Sequence, residues 1–430
     1  MTTGTPRVPA GRTERSAALA GLPLLEDLPD VEGQRVLVRV DFNVPLEDDG
    51  HGGRAVADDY RIRTALPTLR WLLDQGAHVT ACSHLGRPPG APDPRWDMAP
   101  VRARLEALLP GVALSENLRF SPGEKTNDPA FVDELVAGQD VYVNEAFGVS
   151  HRAHASIVGP PARLPSAAGR QLAREAEVLG GLLGAPARPF VAVVGGAKVS
   201  DKVGVLEALA GKVDVLCVGG AMAFTFLAAM GHRVGDPLVD AEHLEACAAL
   251  LDSGVHILLP VDTVALASGE PFCSGERAPL ERGAAARTGP GGPRVVGDDV
   301  PDGWRGLDIG PETAAQFGKE VAGAATVLWN GPLGVTEDER FAQGTRLVAQ
   351  AVASCPGFTV VGGGDSVSAL RHLGLADRVD FLSTGGGASL ELIERGDLPG
   401  LAALRAAVNA PPAHPDPPPT GPAHPDPAQR

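Results

Sequence analysis

Short runs rich in β-branched residues recur along this chain, and longer stretches with helical apolar spacing separate them. That alternation restricts the fold more than any other feature. Read as strands, the runs are Arg35 to Val40, Ala77 to Cys82, Val141 to Val143, Phe190 to Val194, Val213 to Val218, Ile257 to Leu259, Thr326 to Trp329 and Thr359 to Val361. Strands alternating with helical segments build βαβ units around parallel sheets. The expected class is therefore α/β. At 430 residues the chain exceeds the roughly 100 to 200 residues of one domain, so it is expected to bury more than one core.

Six of these runs lead directly into a polar or glycine-rich motif. The motifs are DFN (Asp41, Phe42, Asn43), SHLGRP (Ser83 to Pro88), GGAK (Gly195 to Lys198), GGA (Gly219 to Ala221), NGPLG (Asn330 to Gly334) and GGGDS (Gly362 to Ser366). Open α/β sheets bind ligands at the carboxyl ends of their strands, so the placement predicts shared crevices. Before about residue 160 the motifs carry Arg and His; after about 190 they carry glycines, lysines and an aspartate. One half suits a small anion and the other a nucleotide.

In the first half, Arg61, His84, Arg87, Arg119 and Arg152 stand in or beside RI, SHLGR, ENLRF and SHRAH. Guanidinium groups bind phosphate and carboxylate bidentately. A lone arginine reads as solvated surface charge, but five basic residues at such positions read as an anion cradle. Asp41 and Asn43 either form a turn after their strand or hold substrate hydroxyls. His151 and His154 are as suited to structural packing as to an anion and stay outside the candidate set.

In the second half, GGAKVSDK puts Lys198 and Lys202 four apart, on one face if a helix starts directly after the glycines. Glycines admit phosphates close to the backbone, and a helix start offers free N–H donors. No Walker sequence and no G-x-G-x-x-G fingerprint occurs, which disfavours a P-loop enzyme and a nucleotide-dependent dehydrogenase. In GGGDS, Asp365 and Ser366 suit either a tight turn or the ligation of Mg²⁺ and phosphate oxygens. A second glycine run, STGGGAS from Ser383 to Ser389, precedes a helical pattern and could also aim amides at an anion.

Composition narrows the rest. A net charge of -16 disfavours general nucleic-acid binding, which needs a basic surface. Five scattered cysteines suggest neither a disulfide framework nor a zinc site, and fit a reducing, cytoplasmic setting. No run nears the roughly 20 apolar residues of a membrane span, and the interrupted apolar run Ala17 to Leu25 is a poor signal peptide.

In order, RVDFNVP, DDYRIRTALP, SHLGRP, ENLRF, HRAHAS, GGAKVSDK, GGAMAFTFL, GLDIGPET, WNGPLGVTE, VVGGGDS and STGGGASLEL resemble the motifs of the phosphoglycerate kinases, over about residues 25 to 405. The resemblance implies two domains, each a parallel sheet flanked by helices, joined by a hinge helix in a monomer. It implies phosphoryl transfer from 1,3-bisphosphoglycerate to ADP, giving 3-phosphoglycerate and ATP, with Mg²⁺ accompanying the nucleotide. The boundaries expected are a tail at 1–20, a 3-phosphoglycerate domain at 21–165 and a connecting helix at 166–184. A nucleotide domain at 185–390, a segment returning to the first domain at 391–409 and a Pro-rich tail at 410–430 would follow.

Carried onto this sequence, the resemblance makes Arg61 and Lys198 catalytic. It gives the acidic substrate to Asp41, Phe42, Asn43, Arg61, His84, Leu85, Gly86, Arg87, Arg119 and Arg152. The nucleotide falls to Gly195, Lys198, Lys202, Gly219, Gly306, Leu307, Asn330, Glu337, Gly363, Gly364, Asp365 and Ser366, with Asp365 also the metal ligand. Two positions depart from the family pattern: Glu145 stands where Asp is usual, and Ala228 where Lys is common. They bear on hinge and nucleotide-site geometry.

Overall fold

Strand β1 (Arg35–Arg39) is buried at four of its five residues, as a central parallel strand covered on both faces must be. The computed structural model describes residues 19–50, 52–236, 239–273 and 292–409. After β1 come a short antiparallel pair, β2 (Leu46–Asp48) and β3 (Arg54–Val56), and then β4 (His78–Cys82), β5 (Ala113–Leu114), β6 (Val141–Asn144) and β7 (Ser166–Ala168). Strands β5-β4-β1-β6-β7, in that order, form a parallel five-stranded sheet. The order in which strands are added reverses at β1, so the carboxyl ends of β4, β1 and β6 bound a crevice.

The second half repeats the plan. Its strands are β8 (Phe190–Val194), β9 (Val215–Val218), β10 (His256–Leu258), β11 (Asp262–Ala267), β12 (Arg294–Gly297), β13 (Trp304–Ile309), β14 (Thr326–Asn330), β15 (Phe358–Gly362) and β16 (Phe381–Leu382). Six of them make a parallel sheet in the order β10-β9-β8-β14-β15-β16, with its switch point between β8 and β14. The other three form an antiparallel sheet, β12-β11-β13, that the sequence reading did not include. The expected class, two parallel sheets flanked by helices, is what the chain adopts.

The helix expected from Ser166 begins later. Ser166–Ala168 is strand β7, fully buried beside β6, and the helix runs Arg170–Gly184. A helical period cannot distinguish three buried small residues from a strand until a neighbouring strand exists to pair with them. Leu172, Ala176, Leu179 and Leu182 face inward and form its buried apolar stripe. One apolar cluster passes along this helix from Leu22, Leu118 and Tyr142 to Phe190, Leu216 and Leu392, so it joins the packing of both halves.

The Pro399–Asn409 helix packs against Ala155–Val158 and β7, where Gly400 N–H donates to Ser150 O at 2.8 Å. This helix thus lies on the first half. Leu19 and Ala20, read as tail, belong to the folded body: Leu19 is 8% exposed, and Arg405 Nε donates to Ala20 O at 3.1 Å. Residues 1–18 and 410–430, the remainder of both expected tails, lie outside the described residues.

Candidate active site

At the switch point of the first sheet, Asp41 follows β1 and its carboxylate meets Arg61 Nη1 at 2.5 Å. Arg61 occupies the first turn of the Tyr60–Asp74 helix, so helix and strand end are joined there. Asn43 Oδ1 accepts from Gly86 N–H at 2.8 Å, and Arg119 Nη1 donates to Gly86 O at 2.7 Å. Gly86 has φ +62°, and a Cβ there would lie 2.1 Å from the Trp96 ring, so this tight approach requires glycine. Phe42 and Leu85, both in the predicted set, are buried in the core, which leaves only their backbones to face a ligand. Those backbones are largely engaged: Phe42 N–H donates to Ser83 Oγ, while Leu85 exchanges hydrogen bonds with the Asn117 amide.

Beneath this surface lies a buried ion pair absent from the sequence reading. Arg39 is fully buried with Glu124 4.0 Å away, donates to Ser156 Oγ at 2.8 Å and to Val40 O, and approaches His84 Nδ1 at 3.4 Å. Burial and the Arg39 charge push His84 well below the ordinary imidazole value, so it is neutral. Burial likewise lowers Arg119, with Arg39 adding repulsion. His154 is pushed down to about 4 by burial and by Arg119, Arg39 and Arg152.

Arg61, Arg119, Arg152, His84, His151 and His154 lie near enough to act on one another's charges, with Arg87 near Arg119. The two histidines left out of the predicted set therefore belong to this basic cluster. Among the described residues, eight buried side-chain polar atoms lack a hydrogen-bond partner, and four are here: Asp41 Oδ1, Arg119 Nε, His151 Nδ1 and His154 Nδ1. Buried polar atoms are seldom left unpaired, so the crevice is chemically suited to a polar ligand.

The second switch point is lined by glycine. Lys202 folds back so that Nζ donates to Gly195 O at 2.5 Å and to Asn330 Oδ1 at 2.9 Å, bridging the ends of β8 and β14. Burial pushes its pKa down to about 8, against the raising influence of Asp365. Lys198, in contrast, is exposed. The two lysines do not share a helix face as expected: the helix starts only at Val203, and Lys202 is its cap in a non-helical conformation. The preceding glycine turn needs those residues to bring the backbone beside β14, where a Cβ on Gly195 would meet Pro332 O at 2.1 Å.

Ser366 Oγ accepts from Gly331 N–H at 2.7 Å, while Asp365 stays exposed in the first turn of the Gly364–His372 helix. Gly363 adopts φ +90° beside the Asn330 amide, and Gly364 has open space where a Cβ would stand. Gly219 packs against Leu333, and Gly306 in β13 lies so close to Phe224 that a Cβ would come within 2.1 Å of its ring. Leu307 O is taken by Val335 N–H, and Glu337 is exposed.

Glu145 is fully buried and accepts from Thr68 Oγ1 at 2.8 Å and from Gln171 N–H, joining the end of β6 to the start of the Arg170–Gly184 helix. Burial raises its carboxyl to about 8. This departure thus bears on the joint between strand and helix rather than on a ligand. Ala228 sits half-buried in the Ala223–Ala229 helix.

A family model described as phosphoglycerate kinase matches residues 25–115 and 110–396. The phosphoglycerate kinase of Rubrobacter xylanophilus is 50% identical over 87% of this chain and 96% of its own length. That of Parafrankia is 49% identical over 88% and 99%. The solved phosphoglycerate kinase of Coxiella burnetii superposes with a TM-score of 0.76 at 36% identity, covering 90% of this chain and 99% of that one. With the basic crevice and the glycine-lined switch point at the carboxyl ends of two parallel sheets, these likenesses establish that the chain belongs to the phosphoglycerate kinase family, enzymes that move a phosphoryl group between 1,3-bisphosphoglycerate and ADP.

Proposed function

We propose that the basic crevice holds 3-phosphoglycerate or 1,3-bisphosphoglycerate and that the glycine-lined switch point holds ADP or ATP. The observation that carries this reading is the pair of unpartnered buried atoms beside the basic cluster: Arg119 Nε, a charged donor suited to a carboxylate or phosphate, and Asp41 Oδ1, an acceptor suited to a hydroxyl. Asp41 and Asn43 present acceptors to the substrate's hydroxyl. Arg61, Arg87, Arg119 and Arg152 supply charge-assisted donors, and His84, neutral, acts as a hydrogen-bonding partner.

On the nucleotide side, Lys202 meets the phosphates from its buried seat, Lys198 follows the migrating phosphoryl group, and Gly306, Leu307 and Glu337 form the nucleoside end. The residues fit Mg²⁺ in the way nucleotide enzymes commonly hold it, through one carboxylate and the substrate's own phosphates. Asp365, exposed at a helix start and within the influence of Lys202, is that carboxylate. The cation would neutralise phosphate charge.

The acyl phosphate carries a good carboxylate leaving group, so acid–base chemistry contributes little. Catalysis consists of aligning the two ligands and neutralising charge on the phosphoryl oxygens, the work assigned to Arg61 and Lys198. Water must be excluded during transfer because it would hydrolyse the acyl phosphate. The enzyme is read as a cytoplasmic monomer; among the described residues no helix is long and apolar enough to cross a membrane. An assay of ADP-dependent turnover of 1,3-bisphosphoglycerate tests the proposal. ATP formed in step with 3-phosphoglycerate supports it, whereas turnover without nucleotide, or none at all, overturns it.

A further inference from the structure

Asp58 and Tyr60 belong to the first half, two and zero residues before the Tyr60–Asp74 helix, yet their side chains engage the second half. Asp58 Oδ1 accepts from Tyr60 N–H at 2.8 Å, and its Oδ2 pairs with Arg371 Nη1 at 2.5 Å. The Arg371 guanidinium lies 3.7 Å from the centre of the Tyr60 ring, and Tyr60 OH reaches toward Leu382 O at 3.4 Å. One aromatic ring is therefore held between a guanidinium on the Gly364–His372 helix and a carbonyl of β16.

The neighbours of these contacts are the site residues themselves. Arg61 follows Tyr60 directly; the helix bearing Arg371 begins with Gly364, Asp365 and Ser366; β16 leads into Ser383 and Thr384. All these elements border a cleft of about 490 Å³ lined by Tyr60, Arg61, Gly364, Val367, Arg371 and Thr384. An exposed ion pair by itself contributes little, but here the carboxylate also accepts from the first N–H of a helix and the cation also stacks on a ring. The three groups thus act as a unit.

We propose that Arg371, Asp58 and Tyr60 form a clasp across the cleft that sets Arg61 against the nucleotide-phosphate end, making Arg371 a positioning residue for phosphoryl transfer. This rests on the reading that the acidic substrate and the nucleotide occupy opposite walls. Alignment of reacting groups governs the chemical step strongly, whereas each ligand by itself touches only its own wall. Loss of the clasp should accordingly lower kcat and spare the binary affinities.

The test compares Arg371→Ala, Tyr60→Ala and the double variant. Each single variant is expected to lose roughly five- to twentyfold in kcat with both substrates saturating, while Kd values for 3-phosphoglycerate and for ADP, each titrated separately, change less than about twofold. The double variant should lose no more than the worse single one, since all three remove the same unit. Arg371→Lys, which keeps the charge but not the planar stack, should recover part of the rate. In parallel, spin labels on the two halves of the ligand-free protein should report a broader distance distribution in Arg371→Ala than in wild type. Unchanged kcat, additive losses, binary affinities falling in step with kcat, or unchanged distances would each overturn the clasp. Failure of the substrate assignment would appear separately, as a wild-type enzyme that does not turn over, and the distance measurement would still judge the clasp.

Discussion

Replacing Arg119 by alanine isolates the anion-binding function of the first crevice. In the ligand-free protein the side chain donates from Nη1 to Gly86 O at 2.7 Å, while its Nε is buried without a partner and Arg39 repels its charge. Truncation loses a hydrogen bond worth about 1 kcal/mol but also removes a half-buried cation from a repulsive setting, so the effects on stability largely offset. Binding should respond differently. A charge-assisted hydrogen bond to an anion is worth about 1.5 to 3 kcal/mol, and about 1.4 kcal/mol is a factor of ten, so 3-phosphoglycerate should bind roughly ten- to a hundredfold more weakly. ADP affinity should stay unchanged, because Lys202 and the glycine turns lie on the other sheet. Calorimetric titration of the variant with each ligand, beside a melting curve, measures all three quantities. Undiminished 3-phosphoglycerate affinity, or an equal loss for ADP, would refute the reasoning.

Lys198→Ala should cut kcat far more than it weakens either ligand, because a group acting on migrating charge matters most in the transition state; steady-state kinetics with separate titrations checks this. Lys202, held at about 8 by burial, is a base with a lowered folded pKa, so fold stability rises as pH climbs from about 8 toward its unfolded value near 10.5. ADP affinity should move the opposite way, level below pH 8 and about tenfold lower by pH 9 as the ammonium deprotonates, and Lys202→Met should flatten that profile. Glu145 is an acid with a raised folded pKa of about 8, so the stability it contributes is full below its unfolded value near 4.5 and is lost as pH rises through about 8. Melting curves of Glu145→Gln should lack the part of the decline that falls between about pH 4.5 and 8, and a decline there equal to wild type would remove Glu145 as its source.

The α/β class, the parallel sheets and the strand-end location of six motifs were legible because they rest on local patterning: β-branched runs buried on both faces, followed by residues that a turn requires. Arg61, Asp41, Arg119, Asn330 and Ser366 could be singled out for the same reason, each lying inside a recognisable string. What tertiary structure alone decided depends on distant partners. The Arg39–Glu124 pair joins residues 85 positions apart and has no period or spacing to announce it. Ser166–Ala168 became a strand because β6 offered a ladder, and the β11–β13 sheet emerged from pairings across a long intervening segment. Lys202 left the helix face that its spacing suggested because Gly195 O and the side-chain oxygen of Asn330 lie beside it once β8 and β14 are paired. Chemical identity is written residue by residue, but burial, and with it the neutral His84, the raised Glu145 and the depressed Lys202, exists only after the chain has closed around each group.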